Sequence, residues 1–361
     1  MRRRLLVTGL GIIVLLVSAA LALPQLSSHL PHSLETVANL PERLMAQVLP
    51  PRVPASARLA GLTGAEREAV GALARRLTGQ IVWSSNRTGN HELYLLDTGT
   101  GTVRKLTNTP HVEFFSRFSP DGRRILFTRS QREYVTFRDT TAWDVYVINV
   151  DGTGERLLAR HGYSPQWTPD GKAIVFSRGG KVIRLELDGG DVGRESVLLD
   201  GATIEAIQGD VETPELSPDG KRLAVTVRSR HYGGVAVVDL ATRAVTRLSP
   251  GGACQLTWMP GSEALLWMES EGNGGTRVMK GGPGLPRQVF MDLPGSYSHE
   301  YFPRVSSDGR WLVWGAAAKG HEHDRADYEI FVWEIGRPTS EIVRLTHHPG
   351  NDQWPDIRLP R

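Results

Sequence analysis

The chain has 361 residues, 40% hydrophobic and 22% charged, with a mean hydropathy of −0.25, which excludes a wholly disordered polymer and leaves room for one large domain or two small ones. Its 39 glycines and 22 prolines favour short strands joined by many turns. Three of the 42 basic residues are Arg2, Arg3 and Arg4, and without them basic and acidic residues balance, so the body carries no electrostatic footprint for nucleic acid.

The first 22 residues read as an address. Arg2, Arg3 and Arg4 precede an apolar run from Leu5 to Leu23 that closes on Ala20-Leu21-Ala22. A charged start, an apolar stretch and small residues are the pattern of a secretory signal cleaved after Ala22. Left uncut, the run is long enough to hold the chain in a membrane with its arginines on the cytoplasmic side, and either outcome exports the remainder. Residues 23–78 form a connector broken by prolines at 41, 50, 51 and 54. Its last part predicts a helix over 64–77, opened by a Thr63-Gly64-Ala65-Glu66 capping box and carrying Val70, Leu73 and Leu77 on one face. Gly79 is expected to end it in the left-handed conformation. That apolar face suits packing on the rim of a domain better than capture of a partner.

From residue 79 onward the sequence repeats. Phe118-Ser119-Pro120-Asp121-Gly122-Arg123 returns as Trp167-Thr168-Pro169-Asp170-Gly171-Lys172 and as Leu216-Ser217-Pro218-Asp219-Gly220-Lys221, with the aspartates 49 residues apart both times. A degenerate copy at Trp258-Met259-Pro260-Gly261 and a last one at Val305-Ser306-Ser307-Asp308-Gly309 make five. Serine, a proline of fixed φ, aspartate and a glycine free to take positive φ build a type I turn with a bulge, so each copy joins two antiparallel strands. A third alternating segment follows each hairpin, such as Asp144-Val145-Tyr146-Val147-Ile148-Asn149, and then a fourth, such as Val245-Thr246-Arg247-Leu248. Four strands at this period predict propeller blades. The first unit, starting at Gln80, lacks its innermost strand, and Trp354-Pro355-Asp356-Ile357 at the far end supplies one, so five whole blades and one shared blade give six. Trp83, Phe127, Phe176, Trp267 and Trp314, alternating on second strands, are expected in the core. Cys254, the single cysteine, is expected to pack as a small apolar side chain.

These Trp/Phe-Ser-Pro-Asp-Gly-Lys/Arg units followed by an Ile/Val-Tyr-Val strand resemble the TolB-like six-bladed β-propeller family over residues 79–361. The resemblance implies an all-β propeller exported to the cell envelope, with protein binding as its work. TolB proteins carry an α/β domain ahead of the propeller, where this chain has its short connector.

In such blades the loops from second to third strands and from fourth to the next first strand open on one face, which forms a mouth. On that basis His111, Glu113, His299, Glu300, Asn351 and Asp352 are candidate ligand-binding residues around the axis. His321, Glu322, His323 and Asp324, in a second-to-third loop, are the densest candidate ligands for a divalent cation. The Gly-x-Ser-x-Gly turn of the prolyl oligopeptidases that use such propellers as gates has no counterpart here. The leading expectation is therefore a non-catalytic exported module that binds a protein, a peptide or an envelope component at the mouth. The alternative is a metal-dependent carbohydrate-active enzyme, resembling a polysaccharide lyase, using the same histidines and carboxylates.

Overall fold

In each Ser/Thr-Pro-Asp-Gly segment the side chains close the turn that the sequence predicts. Ser119 Oγ donates to Asp121 Oδ1 at 2.5 Å and accepts from the Arg124 amide at 2.9 Å, the Arg123 amide donates to Asp121 Oδ1 at 3.0 Å, and Gly122 has φ +68°. The pattern recurs at Thr168–Asp170, Ser217–Asp219 and Ser306–Asp308. The hydroxyl and amide donors hold Asp170 and Asp219 below the usual carboxylate range. A Cβ at Gly220 (φ +70°) would come no nearer than 4.0 Å to its closest neighbour, so Gly220→Ala is expected to cost only the left-handed strain, about 1–2 kcal/mol. At Gly122 a Cβ would lie 1.9 Å from Arg358 Nε, and displacing that side chain breaks its 2.9 Å bond to Gln80 Oε1. Urea unfolding of the two variants is expected to show the larger loss for Gly122→Ala.

The computed structural model describes residues 61–188, 191–249, 251–261, 263–272, 275–318 and 322–360. The expected signal or anchor segment (1–22) and the connector up to residue 60 lie outside the described residues. Blade one contains β1 (Gln80–Ser85), β2 (Glu92–Asp97) and β3 (Thr102–Lys105). Blade two contains β4 (Glu113–Phe118), β5 (Arg124–Ser130), β6 (Trp143–Asn149) and β7 (Arg156–Ala159). Blade three runs through β8 (Tyr163–Trp167), β9 (Ala173–Arg178), β10 (Lys181–Asp188) and β11 (Asp191–Asp200), and blade four through β12 (Asp210–Leu216), β13 (Arg222–Arg228), β14 (Gly233–Asp239) and β15 (Val245–Arg247). Blade five follows with β16 (Ala253–Trp258), β17 (Leu265–Glu269), β18 (Arg277–Gly282) and β19 (Leu285–Met291), and blade six with β20 (His299–Val305), β21 (Trp311–Ala317), β22 (Tyr328–Glu334) and β23 (Val343–Arg344). The last strand, β24 (Asp352–Arg358), returns to pair antiparallel with β1, so the first sheet has the order β24-β1-β2-β3 and the ring of six four-stranded sheets is closed. Closure leaves no inner edge open to another chain.

Every inner strand carries one non-glycine residue of positive φ at the same register: Phe115, Ser164, Thr213, Gln255, Phe302 and Trp354. Each sits where the pairing slips by a bulge. A bulge re-aims its side chain, and here it turns six side chains onto the lining of the axial cavity. Between blades, Trp83, Phe127, Phe176, Trp267 and Trp314 are fully buried as expected.

Helix α1 (Gly64–Ala74) forms with its capping box intact, Thr63 Oγ1 accepting from the Glu66 amide and Glu66 Oε2 from the Thr63 amide. Its Val70 and Leu73, with Leu77 beyond, pack among Ile81, Trp83, Trp311, Ile330 and Leu345, on the seam between blades one and six. The helix stops at Ala74 with Arg75 still right-handed, three residues before the expected end. Gly79 does not take the left-handed role. It is a glycine because the Arg358 carbonyl of the closing strand passes within 2.6 Å of where a Cβ would stand.

Candidate functional site

The second-to-third and fourth-to-first loops share a face, as their contacts show. Asn90 in the first kind donates to the carbonyls of Thr109 and His111 in the second, at 2.8 and 2.5 Å, and the Asn351 amide donates to Asn86 Oδ1 at 2.7 Å. Glu113, Glu300 and Asp352 all stand at the mouth ends of inner strands and all are fully buried. Each carboxylate, however, is turned onto the protein's own chain. Glu113 accepts from Thr109 Oγ1 and from Arg129 Nε, both at 2.7 Å. Glu300 accepts from the Leu293 amide at 2.9 Å and from Thr276 Oγ1 at 3.2 Å, and burial pushes its pKa up to about 8. These two carboxylates staple incoming loops to inner strands.

Asp352 belongs to a buried cluster at the seam. Arg87 Nη2 lies 2.8 Å from Glu66 Oε1 and 3.2 Å from Asp352 Oδ2, with all three side chains sealed from solvent. The His347 amide also donates to Glu66 Oε1, at 3.2 Å. Burial works against ionisation of Glu66, yet Arg87 and the Thr63 amide together hold it below its usual value. For Asp352 burial prevails and its pKa rises. Helix, first blade and closing strand thus meet on one guanidinium.

The mouth is roofed. The loop 131–142 of blade two reaches over to residues 322–327 of blade six, where Thr136 Oγ1 donates to Asp324 Oδ2, the Phe137 amide to Asp324 Oδ1 at 3.4 Å, and Arg138 Nη2 to Glu322 Oε2 at 2.8 Å. Under the roof an aromatic cluster fills the axis. Trp354 packs at a tilt against Phe115 and Phe302 with centroids 3.8 and 4.0 Å apart, and the His323 ring lies among Phe137, Tyr301 and Phe302 at 4.4, 4.6 and 5.0 Å. The His323 carbonyl accepts from Asn351 Nδ2 at 2.6 Å and from Gln353 Nε2. His299 is buried at blade six, and His111 is half-buried, its amide donating to Thr109 Oγ1 at 3.1 Å. Cys254 packs against the same cluster, and burial pushes its thiol up to about 11.

Of the expected cation ligands, His321 lies outside the described residues. Glu322 has both oxygens on Arg138, at 3.3 and 2.8 Å, and Asp324 is taken by the roof contacts. Among the described residues no three His, Cys, Asp or Glu side chains are grouped as a metal ion requires. Burial raises Asp324 to about 7. A carboxyl whose folded pKa is raised favours the protonated fold, so its contribution is lost as pH climbs from about 4 towards 7 and is constant above. Asp324→Asn is expected to remove this part of the pH slope, measured as Tm between pH 4 and pH 8.

Sequence reasoning missed the roof and the polar layer beneath the aromatic cluster. Two residues after each positive-φ position stand Arg117, Gln166, Glu215, Thr257, Arg304 and Asp356, and aligning the repeats on their turns would have stacked them in one column. Arg304 Nη1 lies 2.9 Å from both Glu215 oxygens and Arg304 Nε 3.4 Å from Asp356 Oδ1, tying together blades four, six and one across the axis.

No family model matches the chain. A protein described as a TolB homolog from Chlorobaculum tepidum is 31% identical over 98 residues, 27% of this chain. That match spans 21% of the relative's length. Among solved structures, a putative TolB from Agrobacterium tumefaciens is similar with a TM-score of 0.54 at 15% identity, over 74% of this chain and 89% of that one. The hydrazine synthase of Kuenenia stuttgartiensis matches with a TM-score of 0.57 at 15% identity, over 81% of this chain and 48% of its own. At these identities the likeness is one of fold.

Proposed function

We propose that this chain, a TolB-like six-bladed β-propeller, is a non-catalytic binding module of the cell envelope that engages a protein or peptide on its mouth face. One observation carries this reading: the two faces of the ring are built by opposite rules. On the turn face one four-residue solution recurs, its side chains spent on closing hairpins. On the mouth face the loops differ in length and chemistry, the longest form a roof, and Arg132, Arg160, Arg230 and His231 are exposed there. Recognition sits on variable loops held by a rigid frame. An axis filled with aromatic rings directs a partner to the outer surface of the roof and the loops beside it. Export by the amino-terminal segment would bring this face to envelope components.

Photocrosslinking in cells tests the reading. A photoreactive residue at Arg160 or His231 is expected to give discrete protein adducts in the envelope fraction, and one at Asp170 or Lys221 on the turn face to give none. Adducts confined to the turn-face positions would overturn the assignment.

A further inference from the structure

The axial polar layer has an unequal distribution of charge. Two guanidiniums, Arg117 and Arg304, share it with two carboxylates, Glu215 and Asp356, all at least nine-tenths buried except Arg304, whose side chain is 13% exposed. Both carboxylates are committed to Arg304, and Asp356 Oδ2 also accepts from the Phe118 amide at 2.8 Å. Arg117 is left with the carbonyl of its own neighbour, Ser116, at 2.7 Å from Nη1, and its buried Nε has no hydrogen-bond partner among the described residues. An arginine stays charged in a protein, and a buried charge without a contacting counter-ion is costly. Burial, with Arg304 nearby, draws its pKa down to about 9, which still leaves it protonated at neutral pH.

Arg117 borders a cavity of about 20 Å³ on the axis, also lined by Ser164, Gln166 and Gln255. Glu215 reaches the same cavity with both oxygens held by Arg304. The volume admits one or two water-sized particles and no polyatomic anion such as sulfate or a carboxylate. Hydroxyl and amide groups are donors well suited to a monatomic anion beside a guanidinium. We propose that the axial cavity is a halide site in which a chloride ion rests against Arg117, with donors from Ser164, Gln166 and Gln255 completing its shell. The ion would neutralise the one guanidinium that the four-charge layer leaves without a contacting carboxylate and would join blades two, three and five at the axis.

The test uses the full chain in sodium chloride, sodium bromide and sodium gluconate at equal ionic strength. Tm is expected to rise saturably by about 2 °C from gluconate to either halide, the shift of a ligand present near ten times its dissociation constant. Arg117→Gln should remove that difference. Crystals soaked in bromide are expected to show an anomalous peak on the axis within contact of Arg117, a readout that does not need the variant to fold. A halide-independent Tm, or bromide-soaked crystals with density but no anomalous signal at this position, would assign the cavity to water and overturn the proposal.

Discussion

Arg87→Met is expected to lower stability by about 3–5 kcal/mol, equivalent to a fall in Tm of about 5–8 °C, the largest loss of any single substitution in the buried Glu66–Arg87–Asp352 cluster. The change removes one cation and leaves two carboxylates, Glu66 and Asp352, with no exposure and no partner of opposite charge among the described residues. It also removes a guanidinium packed over Trp83 and Tyr94, 5.6 and 5.4 Å from their ring centres. Glu66→Gln should cost much less, because an amide oxygen still accepts from the Thr63 amide and Arg87 keeps Asp352. The double variant should fall short of the sum of the two, since the second change relieves the charge stranded by the first. Acid has a related effect. Glu66 titrates below its usual value in the fold, so its contribution is complete above the unfolded pKa, 4.5, and is lost as pH falls through the lower folded value. Thermal unfolding of the three variants at pH 7 and pH 4 checks both claims, and limited proteolysis at 61–77 should report release of the helix in Arg87→Met.

That cluster also marks where sequence reading runs out. The capping box at Thr63 and Glu66 was legible because its chemistry lies within four consecutive residues. Its second use was not, because Arg87 and Asp352 approach only once the ring closes, 21 and 286 positions along the chain. The turns, blade count and shared blade followed from local rules repeated in register, where a serine, a proline, an aspartate and a glycine each have one task. Glu113, Glu300 and Asp352 stand at the mouth ends of inner strands. Which way their carboxylates turn is not legible in the sequence, since the donors that hold them, Thr109, Leu293 and Arg87, sit on loops whose paths no periodicity encodes. The roof is of the same kind: Arg138 and Glu322 are 184 residues apart, and only folding brings them together.

Ending the chain at Pro349 is expected to yield insoluble or molten material, a larger effect than any point substitution. Four separate interactions leave with β24. The first sheet loses its inner strand and exposes the whole length of β1, Gln80–Ser85, as a flat edge open to association. Arg87 loses Asp352, and the Arg304 knot loses Asp356. Trp354 takes with it the ring packing against Phe115 and Phe302, and removal of a buried aromatic costs about 3–5 kcal/mol on its own. These losses act at one wedge, yet a ring transmits them, because each blade packs on both neighbours and a missing inner strand leaves blades two and six without the surface they bury. A synthetic peptide of residues 350–361 added during refolding should restore solubility and a cooperative melt. The same peptide carrying Trp354→Ala, Asp352→Ala and Asp356→Ala should not. A truncated chain that stays monomeric and melts cooperatively without the peptide would show that the other five blades hold the ring by themselves.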